Sequence, residues 1–269
     1  MSLSAPIPVV MSVAGSDSSA GAGIQADLKS IAAQGGYGLC AVTNVVSEIP
    51  GKVSKVCLME PEMIEDQMRV LLAGFPVAAA KTGMLGGAEQ VRCVARVWKE
   101  AGNGRPLVVD PVMVATGGGR LLEEGAVQAV SDELLPLAAV ITPNMDEATV
   151  LWGRDVRSED DMLACAEDLA KRYETAVLLK GGHLEGEAAD VLVVGESVHW
   201  YRAPRVQGVH THGTGCSLSA AIAAQIALGK DIPAAVGAAK RWLSQAVAGY
   251  LKWIHSAGEV HALNHLNQS

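Results

Sequence analysis

The chain has 269 residues, 49% hydrophobic and 19% charged, a balance that supports a large buried core and excludes a wholly disordered segment. Its 21 basic and 29 acidic side chains leave a formal charge of -8 with no block of five or more like charges, which argues against a nucleic-acid footprint. The apolar runs, Val9 to Ala14 among them, fall far short of the roughly 18 residues that a membrane span needs.

Met1 to Pro6 lacks the basic region and apolar core of a secretory signal, so a cytoplasmic location is the expectation. From there apolar, β-rich runs alternate with helix-period segments. A strand is expected over Pro8–Ala14, a helix over Gly21–Gln34, strands over Gly38–Val46 and Val53–Met59, and a helix over Pro61–Ala73. Then come a strand over Ala78–Lys81, a helix over Gly87–Ala101, a strand over Leu107–Asp110, a helix over Glu123–Leu135 and a strand over Ala139–Thr142. Helices over Met145–Leu151 and Ser158–Tyr173 lead to a strand over Ala176–Lys180, an antiparallel pair at Asp190–Val194 and Ser197–Tyr201, and helices over Gly215–Leu228 and Ile232–Tyr250.

This βα alternation is the signature of an α/β protein with a mostly parallel sheet. No linker, repeat or low-complexity tract divides it, so one domain is expected over residues 1–269, with a core of about 9–250 and a polar tail from 256 to 269 that frays. Ser158, with Asp161 three residues on, marks a helix start, as does Pro233. Five scattered cysteines without CxxC spacing suggest neither disulfides nor zinc. Cys40, Cys57, Cys93 and Cys165 sit in apolar segments and are expected as buried thiols.

Four glycine-rich turns follow apolar strands: Gly15-Ser16-Asp17, Thr82-Gly83-Met84, Gly181-Gly182-His183 and Gly213-Thr214-Gly215-Cys216. Parallel sheets place ligands at strand C-termini, although any one such turn is equally an ordinary tight turn. No GxxxxGK[ST] or GxGxxG is present, which removes the Walker and dinucleotide readings. The run from His210 to Ala224 passes from small residues straight into a helix former. Its free N–H groups and helix dipole make Gly213 to Cys216 an anion seat, and the same position is expected to lower the Cys216 thiol pKa. Cys216 is then a general base or a nucleophile, or else a structural thiol. His210 and His212 are either its activators or plain loop residues.

Six motifs in colinear order over about residues 9–250 closely resemble the hydroxymethylpyrimidine/phosphomethylpyrimidine kinases of thiamine biosynthesis, within the ribokinase-like superfamily. They are Ala14 to Lys29, Lys81 to Leu85, Val109 to Val114, Val140 to Asn144 with Glu147, Lys180 to His183, and His210 to Cys216. The resemblance implies a three-layer α/β/α ribokinase-like fold, usually dimeric, that moves the γ-phosphoryl of ATP to 4-amino-5-hydroxymethyl-2-methylpyrimidine and then to its monophosphate. It implies that Gly213, Thr214 and Gly215 form the anion hole and that Cys216 replaces the Asp base of most ribokinase relatives. Asp110 and Glu147 would act on Mg²⁺, and Asn144, Lys180, Lys240 and Arg120 on the nucleotide, with Ala115 to Arg120 as a flap. Gly15, Asp27, Glu48, Met84 and Val112 would meet the pyrimidine.

Two positions depart from that pattern. Glu48 stands where relatives carry Gln, which leaves a pyridoxal-type vitamin kinase or a pyrimidine kinase of shifted preference as the alternative. Ala20 stands where Gly is commoner, and is tolerated if its φ is negative. A cysteine hydrolase or acyltransferase, or a non-catalytic pyrimidine-binding protein, would leave Asp110, Asn144 and Glu147 without a joint purpose.

Overall fold

The computed structural model describes residues 7–113, 124–182, 187–206, 212–255 and 258–266. Arg120 and the rest of the expected flap, together with His183 and His210, lie outside them. Nine strands form one sheet: β1 (Val9–Asp17), β2 (Tyr37–Ile49), β3 (Lys52–Leu58), β4 (Val77–Thr82), β5 (Leu107–Val109), β6 (Val140–Ile141), β7 (Ala176–Gly181), β8 (Ala188–Val194) and β9 (Ser197–Ala203). Their order is β3-β2-β1-β4-β5-β6-β7-β8-β9. The six strands from β2 across to β7 are parallel, and antiparallel strands close both edges.

Alternate side chains of the central strands feed two cores, as a two-residue side-chain period requires. On one face Met11, Val13, Leu107, Ile141 and Leu179 meet α2 (Pro61–Gly74), α3 (Ala88–Ala101), α4 (Glu124–Ala129), α5 (Met145–Trp152) and α6 (Glu159–Tyr173). On the other, Val10, Val108, Val140 and Leu178 meet α1 (Gly23–Ala33), α7 (Thr214–Ala227) and α8 (Ile232–Ala248). The result is the expected three-layer α/β/α arrangement. Helix starts are set locally: Ser158 and Asp161 form a capping box for α6, and Asp231 caps α8 ahead of Pro233.

Three expectations fail. Cys57 is exposed, because β3 is an edge strand with no residue covered on either side, and Cys40 on β2 is only partly buried. The long helix expected from Glu123 ends as a π turn over Val130–Leu134 and a 3-10 turn over Leu135–Leu137, where Pro136 removes a donor. The tail does not simply fray: Leu251–His255 and Gly258–Ala262 pair as an antiparallel ribbon, β10 and β11, and Leu263 and His265 beyond it are buried.

The sheet changes winding direction between β1 and β4, since β1 has its sequence neighbour β2 on one side and β4 on the other. Such a switch point opens a crevice at the strand ends. Here the Gly15 N–H donates to Met84 O at 2.9 Å, and the Gly83 N–H to Val13 O at 3.0 Å. Ala20, in the turn that follows β1, has φ +58, so the negative φ that would make an alanine unstrained there is absent. A Cβ in that region costs about 1–2 kcal/mol, partly offset by the greater unfolded-state freedom of glycine. Ala20→Gly should therefore stabilise the protein by about 0.5–1 kcal/mol in urea unfolding; a destabilised variant would show that the turn needs the methyl group.

Candidate functional site

The turns between β1 and α1 and before α7 pack against each other at the carboxyl edge of the sheet. Gly213 adopts φ +84, and a Cβ there would lie 1.9 Å from Gly21 O, so both the backbone sign and the contact demand glycine. That contact brings two helix N-termini together, and the Gly23 N–H reaches the sulfur of Cys216 on the first turn of α7. The start of α7 has no side-chain cap, which leaves amides of Gly213 to Cys216 for a ligand.

Asp110, at the end of β5, and Lys180, on β7, meet at this first turn. Lys180 Nζ donates to Asp110 Oδ1 at 2.9 Å, while a Cβ on Gly215 would lie 3.1 Å from that ammonium and 3.6 Å from Asp110 Oδ2. The Thr142 hydroxyl also donates to Asp110 Oδ1, and the Ser219 hydroxyl to Oδ2. Burial disfavours the Lys180 charge, but Asp110 and Glu147 outweigh it and raise the ammonium pKa.

Glu147 and Asn144 form the capping box of α5, with Asn144 Oδ1 accepting from the Glu147 N–H and Glu147 Oε2 from the Asn144 N–H, each at 2.9 Å. The Met113 N–H donates to Glu147 Oε1 at 3.2 Å. Burial pushes the Glu147 carboxyl up, as does Asp110, while Lys180 opposes both. Asp110 and Glu147 fit an Mg²⁺ ion held through water and phosphate oxygens, because backbone donors already engage both Glu147 oxygens and, among the described residues, no all-protein cage surrounds the pair. Between them Val112 holds φ +44, a strained conformation for a β-branched residue.

Several expected residues take other places. Cys216 is not a depressed thiol: burial pushes it up to about 11, helped by Asp27 and Asp110, against the Lys81 ammonium and the Gly23 N–H. The helix-start effect is present, but desolvation is larger. Asp27 is fully buried, its oxygens held by Lys81 Nζ at 2.9 Å and by the Ser12 hydroxyl at 2.6 Å, so it lies beneath the site and not on its surface. Lys240 faces neither solvent nor the α7 start. It pairs with Asp190 of β8, which also accepts from the Gly181 N–H at 3.1 Å, and so props the β7 turn.

Glu48 joins Asp17 and His212 in a cluster whose ligand atoms all lie within 4.8 Å of one another. Asp17 accepts from the Ser19, Gly21 and Ala22 amides and stands 3.4 Å from His212 Nε2. Burial would raise Asp17, yet His212, Ser19 and Ala22 hold it well below the usual carboxylate range. His212 is raised by Asp17, while burial and then Asp17 raise Glu48. His212 thus serves the β1 turn and not Cys216.

Sequence reasoning missed Asn44. Fully buried on β2, it donates from Nδ2 to Met84 O at 3.3 Å and to Thr43 Oγ1 at 3.1 Å, while its Oδ1 has no partner among the described residues. A Cβ on Gly15 would lie 2.2 Å from that oxygen. A lone amide inside an apolar strand was the available signal.

A family model described as Phosphomethylpyrimidine kinase matches residues 17–261. The chain is 43% identical over 244 residues to the hydroxymethylpyrimidine/phosphomethylpyrimidine kinase of Streptomyces coelicolor, covering 90% of each chain. Among solved structures it is similar to the pyridoxal kinase from Staphylococcus aureus in complex with AMP-PCP and pyridoxal. That match has a TM-score of 0.87 and 32% identity, and covers 98% of this chain and 96% of the other. It is also similar to phosphomethylpyrimidine kinase from Clostridium difficile, with a TM-score of 0.80, 36% identity, and 90% and 100% covered.

The Asp17 contact favours protonated His212, so it stabilises the fold below the unfolded-state histidine pKa and its contribution is lost as pH rises through the raised folded value. An NMR titration should place the His212 midpoint above 6.5, and Asp17→Asn should lower it; a midpoint below 6.5 in the parent protein would contradict the pairing.

Proposed function

The chain belongs to the phosphomethylpyrimidine kinase family, and from that premise we propose that it transfers the γ-phosphoryl group of ATP to the hydroxymethyl group of 4-amino-5-hydroxymethyl-2-methylpyrimidine and then to the resulting monophosphate. What supports this most is the meeting of Asp110, Lys180 and the first turn of α7 at Gly215. Phosphoryl transfer needs positioning and charge stabilisation more than covalent chemistry. The amides of Gly213, Thr214, Gly215 and Cys216 bind the transferring phosphoryl group, and Lys180 offsets its charge. Asn144 and Glu147 hold the nucleotide end through the fixed start of α5. Asp110 and Glu147 would hold Mg²⁺ through water, and the bound ion would supply charge neutralisation at the phosphates.

The pyrimidine lies against Gly15, Met84 and Val112, with Glu48 toward its amine and Asp27 supporting from below through Lys81. Cys216 takes the alcohol proton. Its thiolate is the minor form at neutral pH, so this step gains from alkaline conditions. A second reading, phosphorylation of pyridoxal, is favoured by the likeness to pyridoxal kinases and by Glu48 in place of the expected amide.

We place the enzyme in the cytoplasm, as one domain that forms a homodimer. The exposed apolar side chains Val45, Ile49, Val53, Val56 and Leu58 along the β2–β3 edge support a second copy there. Light scattering that returned the mass of one chain would refute the dimer.

The test is ADP release with ATP and either the aminopyrimidine alcohol or pyridoxal. We expect faster turnover of the aminopyrimidine, loss on chelation of Mg²⁺, and a wild-type kcat that rises with pH between about 7 and 9. Cys216→Ala should lower kcat by about 10²–10⁴ and flatten that rise. Preference for pyridoxal would establish the second reading, and near-normal turnover by Cys216→Ala would remove Cys216 from the mechanism.

A further inference from the structure

The segment after β11 returns to the back of the catalytic helix. Leu263 and His265 are 3% and 4% exposed, and the Asn264 N–H donates to Ala246 O of α8 at 3.2 Å. His265 Nε2 and Ser217 Oγ share a hydrogen bond of 2.9 Å, with both residues buried. Ser217 follows Cys216 directly, and its N–H donates to Gly213 O at 2.9 Å to close the first turn of α7.

Other neighbours of His265 belong to the same frame. The Trp242 ring of α8 lies 6.1 Å from the imidazole, and the Leu263 backbone lies beside it. The charged group that acts on it is Lys29 of α1, whose Nζ donates to Ala20 O at 2.8 Å and so ties down the glycine turn that touches Gly213. Burial, helped by Lys29, pushes the imidazole down to about 4, which keeps it neutral beside Ser217. The His265 side chain therefore touches the first turn of α7 and feels the charge of the lysine that anchors its partner turn.

We propose that His265 is a positioning residue, which acts through Ser217 to fix the first turn of α7 and so the anion-binding amides and Cys216. The proposal rests on the kinase reading for its kinetic consequence but not for its structural one, and the experiment separates the two.

Exchange of the Ser217 amide, whose N–H closes the first turn of α7 on Gly213 O, is compared by NMR between wild type, His265→Leu and His265→Gln, with no substrate present. Exchange in this turn should speed up by about fivefold in His265→Leu and return toward wild type in His265→Gln, whose amide can still reach Ser217. In the ADP-release assay, His265→Leu and Ser217→Ala should each lower kcat by about fivefold or more at little cost in KM for ATP. Combining the two should add little further loss, because both remove one interaction.

Exchange within twofold of wild type in His265→Leu, equal effects of Leu and Gln, or additive losses in the double variant would overturn the proposal. If wild type releases no ADP with either alcohol, the kinase reading fails and the exchange arm alone decides the positioning role. If His265→Leu does not fold, His265→Gln against Ser217→Ala supplies the same comparison.

Discussion

Two turns at the carboxyl edge of the sheet can touch only because neither presents a side chain to the other. With Gly21 O where a Cβ of Gly213 would sit, the start of α7 is pressed against the start of α1, and the further geometry follows from that approach. The Gly23 amide reaches the Cys216 sulfur, and Gly215 comes to rest over Asp110 and Lys180. The N-termini of α1 and α7 then lie side by side, and their partial positive charges together favour an anion more than a single helix start would.

The charges beneath this point arrive in pairs. Lys81 with Asp27, Lys180 with Asp110 and Lys240 with Asp190 are all largely buried, and each ammonium would be costly to leave alone there. Their roles differ by what lies above them. The Lys81 pair supports the floor near Cys216, the Lys240 pair holds the β7 turn, and the Lys180 pair faces the α7 amides. Of the two lysines that the motifs offered for the nucleotide, Lys180 lies at the first turn of α7 and Lys240 is held by Asp190. The same low dielectric explains Cys216: burial that strengthens the ion pairs also disfavours an isolated thiolate, so the thiol form prevails at neutral pH.

Much of the architecture was legible in the residues. Apolar strands alternating with capped helices specify a parallel sheet, and local signals such as Ser158 with Asp161 act over a few residues and survive folding. What was not legible depends on distant neighbours. Asp27 looked like a ligand contact until Lys81, 54 residues away, occupied both its oxygens. Lys240 looked phosphate-facing because Asp190 lies 50 positions off. The backbone sign at Ala20 is set by Asp17 O and Lys29, and the polar tail docks because Ser217 and the α8 backbone offer partners that composition does not reveal. Glu48 was read as one altered ring contact, yet it sits in a cluster with Asp17 and His212.

The most direct test of the account is the response of the Gly213, Thr214, Gly215 and Cys216 amides to a non-hydrolysable ATP analogue, followed by NMR. If these N–H groups seat the transferring phosphate, their resonances move together and saturate with the analogue, and Lys180→Met weakens that response. Shifts confined to other parts of the chain, with these four amides unmoved at saturation, would contradict it.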